Sequence, residues 1–125
     1  MVETLSDETA EEIVRTCRAA IGDEVRNVTF ITEDDYDVHY VRDDVDADTE
    51  STGFIEAEQR GFASQRTYGW SDMGEYVFTI RAFEDGYIGR VIAGDQGVYV
   101  AADALTVDSF TDAAESIRDL LVDAE

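Results

Sequence analysis

The apolar positions of this chain recur with two different periods, and each period predicts a different kind of element. Near both ends, apolar residues fall three and four positions apart, which is the spacing of an amphipathic helix. The first predicted helix runs from about Asp7 to Ile21, with Ser6 as its N-cap and Gly22 as the left-handed residue that ends it. The last predicted helix runs from about Val107 to Ala124. Both helices therefore have an apolar side suited to packing on a sheet.

A third helix is predicted in the middle of the chain, from about Thr52 to Arg60, with Gly61 expected to end it. Four of its residues and near neighbours lie close to one face: Phe54, Ile55, Glu58 and Phe62. After this helix, Gln65 to Tyr68 is predicted to form a short strand. Residues 69–74 then form a glycine-flanked loop that contains Trp70 and Met73.

Two strands are predicted in the first half, Val25 to Thr32 and Tyr36 to Arg42, around an acidic turn; in the second, Tyr36, Val38 and Tyr40 share one face. A helix over residues 33–43 is the alternative, because Thr32 followed three residues later by an aspartate makes a weak capping box. In either case the acidic residues 43–50 form a loop.

The clearest strand pattern lies in the second half of the chain. Residues 76–83 and 87–93 both alternate, and Asp85–Gly86 between them is typical of a two-residue hairpin turn. This turn predicts three cross-strand pairs: Phe83 with Ile88, Arg81 with Arg90, and Thr79 with Ile92. The opposite face is then wholly apolar and should meet the helices; it holds Phe78, Ile80, Ala82, Val91 and Ala93. Another strand, residues 98–102, follows a glycine-containing turn.

This order of elements predicts an α+β fold in a single domain, residues 1–125. We expect a mainly antiparallel sheet of about five strands, with the N-terminal, middle and C-terminal helices packed on it. A chain of 125 residues is the length of one ordinary domain and can bury a stable core without disulfides.

Arg81 and Arg90 form the first candidate binding surface. The predicted register sets their guanidinium groups side by side, an unfavourable arrangement unless carboxylates or a bound anion lie between them. Carboxylates of this chain such as Glu75 or Asp103 are one interpretation, and an anion or partner site is the other.

A second candidate surface is apolar and lies on the same hairpin. Phe83, Ile88 and Ile92 share the face opposite the predicted core, and Val98 and Val100 are expected to extend it. If no helix covers that face, it marks an interface. In the preceding loop, Trp70 and Met73 have the composition of an interface anchor, or they cover the core as a lid.

The charge of the chain excludes one class of partner. Thirty acidic residues stand against nine arginines, lysine is absent, and the formal net charge is -21. Affinity for DNA or RNA comes from clustered Lys and Arg that displace counterions. We therefore do not expect nucleic-acid binding.

The same charge predicts a protein adapted to a high-salt cytoplasm, because the acidic residues are spread over every segment. In dilute buffer they repel one another, whereas at molar salt the Debye length falls to about 3 Å and the repulsion is screened. We expect the fold to need roughly molar KCl or NaCl, as measured by thermal unfolding across a salt series. Full thermal stability at about 50 mM salt would contradict this prediction.

No group of residues has the composition of a catalytic or metal centre. Cys17 is the single cysteine and lies on the apolar side of the first helix, which predicts a buried core thiol. His39 is the single histidine and lies beside Asp37 on a strand, which predicts a surface or half-buried imidazole. We predict no catalytic residue, metal site or cofactor. No apolar stretch approaches the roughly 20 residues of a membrane span, and no signal peptide opens the chain, so we expect a cytoplasmic protein without membrane contact.

Two resemblances extend these expectations. The stretches Tyr40 to Val45 and Gly74 to Arg81, with Gly86, Arg90 and Val91, resemble a group of small acidic haloarchaeal proteins of unknown function. The order of elements is similar to that of roadblock-type and profilin-like domains, which place helices against a five-stranded antiparallel sheet. These resemblances imply a fold and an environment but no activity.

The favoured hypothesis is a non-enzymatic interaction or regulatory domain that presents a sheet face or edge, as a homodimer or with another protein. One alternative is a small-ligand sensor with a pocket between sheet and helices, lined by Tyr36, Tyr40, Tyr68 and Trp70. The other is an enzyme that uses carboxylates and His39.

Overall fold

The computed structural model describes residues 5–46, 54–70 and 72–123, with the side chain of Trp70 outside this description. The helices are α1 (Asp7–Ile21), α2 (residues 54–59), α3 (Gly61–Thr67) and α4 (Val107–Asp123), with 3-10 turns at Gly22–Glu24 and Tyr68–Trp70. The strands are β1 (Val25–Ile31), β2 (Tyr36–Val41), β3 (Thr79–Phe83), β4 (Gly86–Ala93) and β5 (Gln96–Ala102). The predicted start of the middle helix, at residues 52 and 53, falls outside the described residues.

The five strands form one antiparallel sheet in the order β2-β1-β5-β4-β3. Successive side chains of a strand point to opposite faces, and β5 shows both faces clearly. Val98 and Val100 belong to the cluster formed with α1 and α4, whereas Tyr99 and Ala101 belong to the cluster formed with α2 and α3. Helices therefore cover both faces, and the predicted α+β class is confirmed. The suggestion that Val98 and Val100 extend the face of Ile88 was wrong.

Local signals determine helix α1, and the structure confirms its predicted bounds. The Ser6 hydroxyl accepts a hydrogen bond from the backbone N–H of Thr9 at 3.2 Å, which satisfies one of the free donors of the first turn. At the other end Gly22 has a φ of 82°, in the left-handed region that glycine tolerates. Cys17 is buried on the inner side of the helix, and burial raises the pKa of its thiol to about 12. The thiol therefore stays neutral at physiological pH.

The larger core lies between the sheet and the helices α1 and α4. Phe110 of α4 is fully buried and meets the ring of Phe78 edge-on, with 5.3 Å between ring centroids. Val91 is also fully buried, and Phe78 and Ile80 are partly buried against the same cluster. The prediction that this face of the hairpin meets helices is confirmed for Phe78, Ile80, Val91 and Ala93, whereas Ala82 is exposed.

Gly61 begins helix α3 and does not end the middle helical segment, so that prediction was wrong. Its backbone lies against the guanidinium of Arg90, and a Cβ at this position would fall within 2.3 Å of an Arg90 nitrogen. Glycine is needed here because the Arg90 side chain packs directly against the backbone, and not because a helix ends. Residues 65–67 continue as helix, so the short strand predicted there is absent, and Tyr68 begins a 3-10 turn. The alternative helix over 33–43 is also wrong, because β2 occupies that stretch.

The β3–β4 hairpin forms, but with a different register from the predicted one. Phe83 pairs with Gly86, so the turn residues are Glu84 and Asp85, and β3 begins at Thr79. No described residue other than glycine has positive φ, so this turn lacks the backbone conformation that an Asp–Gly turn favours. The shift amounts to two residues, which leaves every side chain on its predicted face. Arg81 now lies opposite Ile88, and Arg90 lies opposite Thr79.

Candidate interaction site

Among the described residues no further strand pairs with β2 or β3, the two edge strands of the sheet, and these edges differ in regularity. The β1–β2 pairing contains a register shift at Val28/Thr29, which distorts the edge that β2 presents. The β3–β4 pairing runs without a shift from Thr79 to Phe83. Strand β3 also has no proline or lysine, two residues that commonly block edge-to-edge pairing. Within the described part of the chain, β3 pairs with a strand on one side only, so its other side can accept another strand.

Apolar side chains surround this edge and reach into solvent. Phe83 is 52% exposed, Val77 is 50% exposed and Met73 is 83% exposed. The Phe83 ring stacks on Phe54 of α2, with 6.4 Å between centroids. We call the exposed strip formed by Val77, Ala82, Phe83 and the outer side of β3 the β3 edge. Phe83 and Met73 were predicted as partner-binding residues, whereas Val77 was missed because it was assigned to the interior of a strand.

Two other predicted contact residues lie inside the protein. Ile88 is 3% exposed and Ile92 is 8% exposed, and both pack with Ile55 of α2 and Phe62 of α3. The apolar face that they share is therefore a second core covered by helices. It is not an open interface in the monomer. The predicted role of Trp70 concerns a side chain outside the described part of the chain.

Arg81 and Arg90 converge on one carboxylate, that of Glu58 in α2. Arg81 Nε donates to Glu58 Oε2 at 2.8 Å, and an Arg90 terminal nitrogen donates to Glu58 Oε1 at 3.0 Å. The other terminal nitrogen of Arg90 donates to the Thr79 hydroxyl at 2.9 Å. Glu58 and Arg90 are almost fully buried, whereas the Arg81 side chain is nearly half exposed. We call Glu58, Arg81 and Arg90 the arginine–glutamate cluster.

The carboxylate predicted between the arginines exists, but neither Glu75 nor Asp103 supplies it. Glu75 pairs with Arg118 at 3.0 Å. Asp103 accepts from Arg26 and Arg42, and these two guanidiniums lower the pKa of its carboxyl. The sequence contained one signal for Glu58. It is an acidic residue on the same face of the middle helix as the apolar Phe54 and Ile55.

A groove of about 1100 Å³ opens beside the start of β3. It lies between α3, residues 73–79 and the β4–β5 turn, and its apolar lining includes Phe62, Tyr68, Met73, Tyr76, Phe78 and Ile92. Arg66 and Arg118 also line the groove. Of the tyrosines predicted to line a ligand pocket, only Tyr68 belongs to it; Tyr40 lies under Arg18 of α1, 5.1 Å from guanidinium carbon to ring centroid.

His39 lies on β2, with its Nε2 atom 3.9 Å from an Asp37 carboxylate oxygen. The described residues contain no group of three or more His, Cys, Asp or Glu side chains arranged to hold a metal ion. Within the same part of the chain, no helix is both long enough and apolar enough to cross a bilayer.

Comparison with solved structures defines the class of fold. The chain is similar to Myxococcus xanthus MglB, with a TM-score of 0.64 at 9% identity over 100% of this chain and 97% of that one. It is also similar to a structure described as MglB with tetrameric arrangement, with a TM-score of 0.62 at 11% identity over the whole of both chains. At these identities the likeness establishes an α+β fold of the roadblock type, as the order of elements predicted.

The family is defined by sequence. Residues 11–122 match the model of a domain of unknown function (DUF7522), and the chain belongs to that family. No curated protein matches the chain.

Proposed function

We propose that this protein is a non-enzymatic interaction or regulatory domain of a high-salt cytoplasm, and that it forms a homodimer through the β3 edge. The observation that carries the proposal is the exposed, regular and apolar strand β3, at the side of a sheet whose two faces are both covered by helices. Pairing through the sheet face around Ile88 and Ile92 does not fit, because α2 and α3 cover those residues. The two edge strands remain as the accessible parts of the sheet, and β3 is the more regular of the two.

Strand pairing suits a protein with this charge. Two chains of net charge -21 repel each other, so association cannot rest on surface ion pairs alone. Backbone hydrogen bonds between two β3 strands and burial of Phe83 and Val77 supply such contacts. Molar salt screens the repulsion between the two acidic surfaces. The solved MglB described as tetrameric supports assembly as a property of this fold, and we extend that property to the present chain as a proposal.

Light scattering after size exclusion in about 2 M KCl tests the proposal. We expect the wild-type chain to have the mass of a dimer. Ala82→Glu places a carboxylate on the exposed part of β3 and should give a monomer, because each copy would bring a new charge to the paired edge. Tyr36→Glu, on the exposed start of β2, is the matched control and should leave the dimer intact.

A monomeric wild-type chain, or equal loss of assembly in both variants, would overturn the proposal. The first outcome would favour the ligand-sensor alternative, with the groove at Tyr68 as its binding site.

A further inference from the structure

We infer that the second copy docks in one register, with Ile80 on the two-fold axis, and that its Glu84–Asp85 turn enters the groove beside Arg118. This inference rests on the proposed self-association through β3 and adds the partner segment and the site that receives it. Each copy would then contribute the same turn and the same groove, as a closed symmetric dimer requires.

Symmetry limits the possible registers. In an antiparallel pair, residues directly opposite each other point to the same face of the sheet. If the two-fold axis is perpendicular to the sheet, the same face of both copies points to the same side. Because side chains alternate along a strand, residues opposite each other must then differ by an even number of positions in the sequence. One residue of β3 therefore lies on the axis, opposite its own copy. The central candidates are Ile80, Arg81 and Ala82.

Two of these candidates are unfavourable. An axis at Arg81 sets two guanidinium groups directly opposite each other, which is a repulsive cross-strand pair. An axis at Ala82 sets the apolar Ile80 opposite the carboxylate of Glu84 and Thr79 opposite that of Asp85, and it leaves Val77 outside the paired segment.

An axis at Ile80 gives complementary pairs on both faces. On the α2–α3 face, Phe83 of each copy meets Val77 of the other. Both side chains are about half exposed in the single chain; Phe83 ends β3 and Val77 lies two residues before it. On the α1–α4 face, Ala82 meets Phe78, and Ile80 meets its own copy. Arg81 lies opposite Thr79 and away from its copy's guanidinium. This register alone covers the whole apolar part of the β3 edge.

The same register extends the turn of the second copy past Val77 to the level of Tyr76 and Glu75. There Arg118 of α4 donates to a Glu75 carboxylate oxygen at 3.0 Å and approaches the Tyr76 carbonyl at 3.4 Å. Glu84 directly follows β3, and continuing the alternation of the strand would place its side chain on the side of Ile80 and Ala82, toward Arg118 of α4. Glu75 is 84% exposed and can share the guanidinium with a second carboxylate. The Arg118 guanidinium in the groove can therefore pair with the Glu84 carboxylate of the second copy.

Single cysteines on β3 test the register. The background is Cys17→Ala, which leaves the introduced cysteine as the only thiol. Opposite residues in an antiparallel pair lie about 4.5–5.5 Å apart between Cα atoms, within the range that a disulfide spans. Under mild oxidation in high salt, Ile80→Cys should form a covalent dimer, and Arg81→Cys and Ala82→Cys should form far less.

Because Ile80 is partly buried, a second measurement uses exposed positions. A mixture of Val77→Cys and Phe83→Cys chains should give the mixed covalent dimer in preference to either self-linked dimer. Arg118→Gln should raise the dimer dissociation constant, whereas Arg15→Gln, an exposed arginine of α1 outside the groove, should leave it near the wild-type value.

The outcomes separate the two proposals. A non-covalent dimer that cross-links through Arg81→Cys or Ala82→Cys instead overturns the register and leaves the proposed function standing. A wild-type chain that stays monomeric overturns both.

Discussion

Glu58→Ala should lower the free energy of unfolding by about 3–5 kcal/mol, because it leaves a buried guanidinium without its carboxylate. Arg90 is 3% exposed, and Glu58 provides its charged partner. The Thr79 hydroxyl would still accept a hydrogen bond from Arg90 but could not neutralise it. Urea unfolding followed by circular dichroism, in about 2 M KCl to screen the surface charges, measures the change.

Two controls separate the buried charge from ordinary loss of packing. Arg81→Ala removes the half-exposed partner of Glu58 and should cost about 0–1 kcal/mol. The double variant Glu58→Leu with Arg90→Met replaces the buried pair by apolar side chains and should recover most of the stability lost in Glu58→Ala. A loss below about 1 kcal/mol in Glu58→Ala would contradict the burial of the arginine–glutamate cluster.

Phe110→Ala should also cost about 3–5 kcal/mol, because it removes a fully buried ring from the centre of the larger core. The ring packs edge-on against Phe78 and lies over Gly89 of β4. Val107→Ala is the matched control on the same helix. Val107 is 62% exposed, so its truncation should change stability by less than about 0.5 kcal/mol.

Gly89 provides an independent check of the same contact. A Cβ at this position would lie 2.6 Å from the Phe110 ring, so Gly89→Ala should cost about 1–3 kcal/mol. In the Phe110→Ala background the added methyl group has space, and the cost of Gly89→Ala should largely disappear. Additive losses in the double variant would show that the two residues do not touch.

The parts of the fold that depend on local signals were predictable from the sequence. Helix α1 has its capping serine, its apolar side and its terminal glycine within a single stretch of chain, and its bounds were correct. The faces of β3 and β4 were also correct, because alternation depends only on neighbouring residues. Phe83 and Met73 are exposed, but the sequence left open whether a helix covers Phe83 and whether Met73 closes over the core.

Contacts between distant segments caused the errors. A glycine at position 61 is typical of a helix end. The structure shows that it instead leaves space for the guanidinium of Arg90 in β4. The Asp85–Gly86 pair favours a particular turn, but the hairpin adopts another register while β4 pairs along its length with β5. Alternation alone could not show whether a helix covers Ile88 and Ile92. For the same reason the sequence suggested a carboxylate between Arg81 and Arg90 without identifying Glu58.

The burial of Glu58 and Arg90 has a consequence for how the fold responds to added salt. Mobile ions weaken attractions between groups that water can reach, such as the exposed pair Arg66 and Glu33, whereas they cannot enter the space between α2 and β4. As ionic strength rises, the relative weight of this interior attraction therefore grows. Helix α2 should then keep its attachment to the sheet over the salt range in which the outer ion pairs cease to contribute.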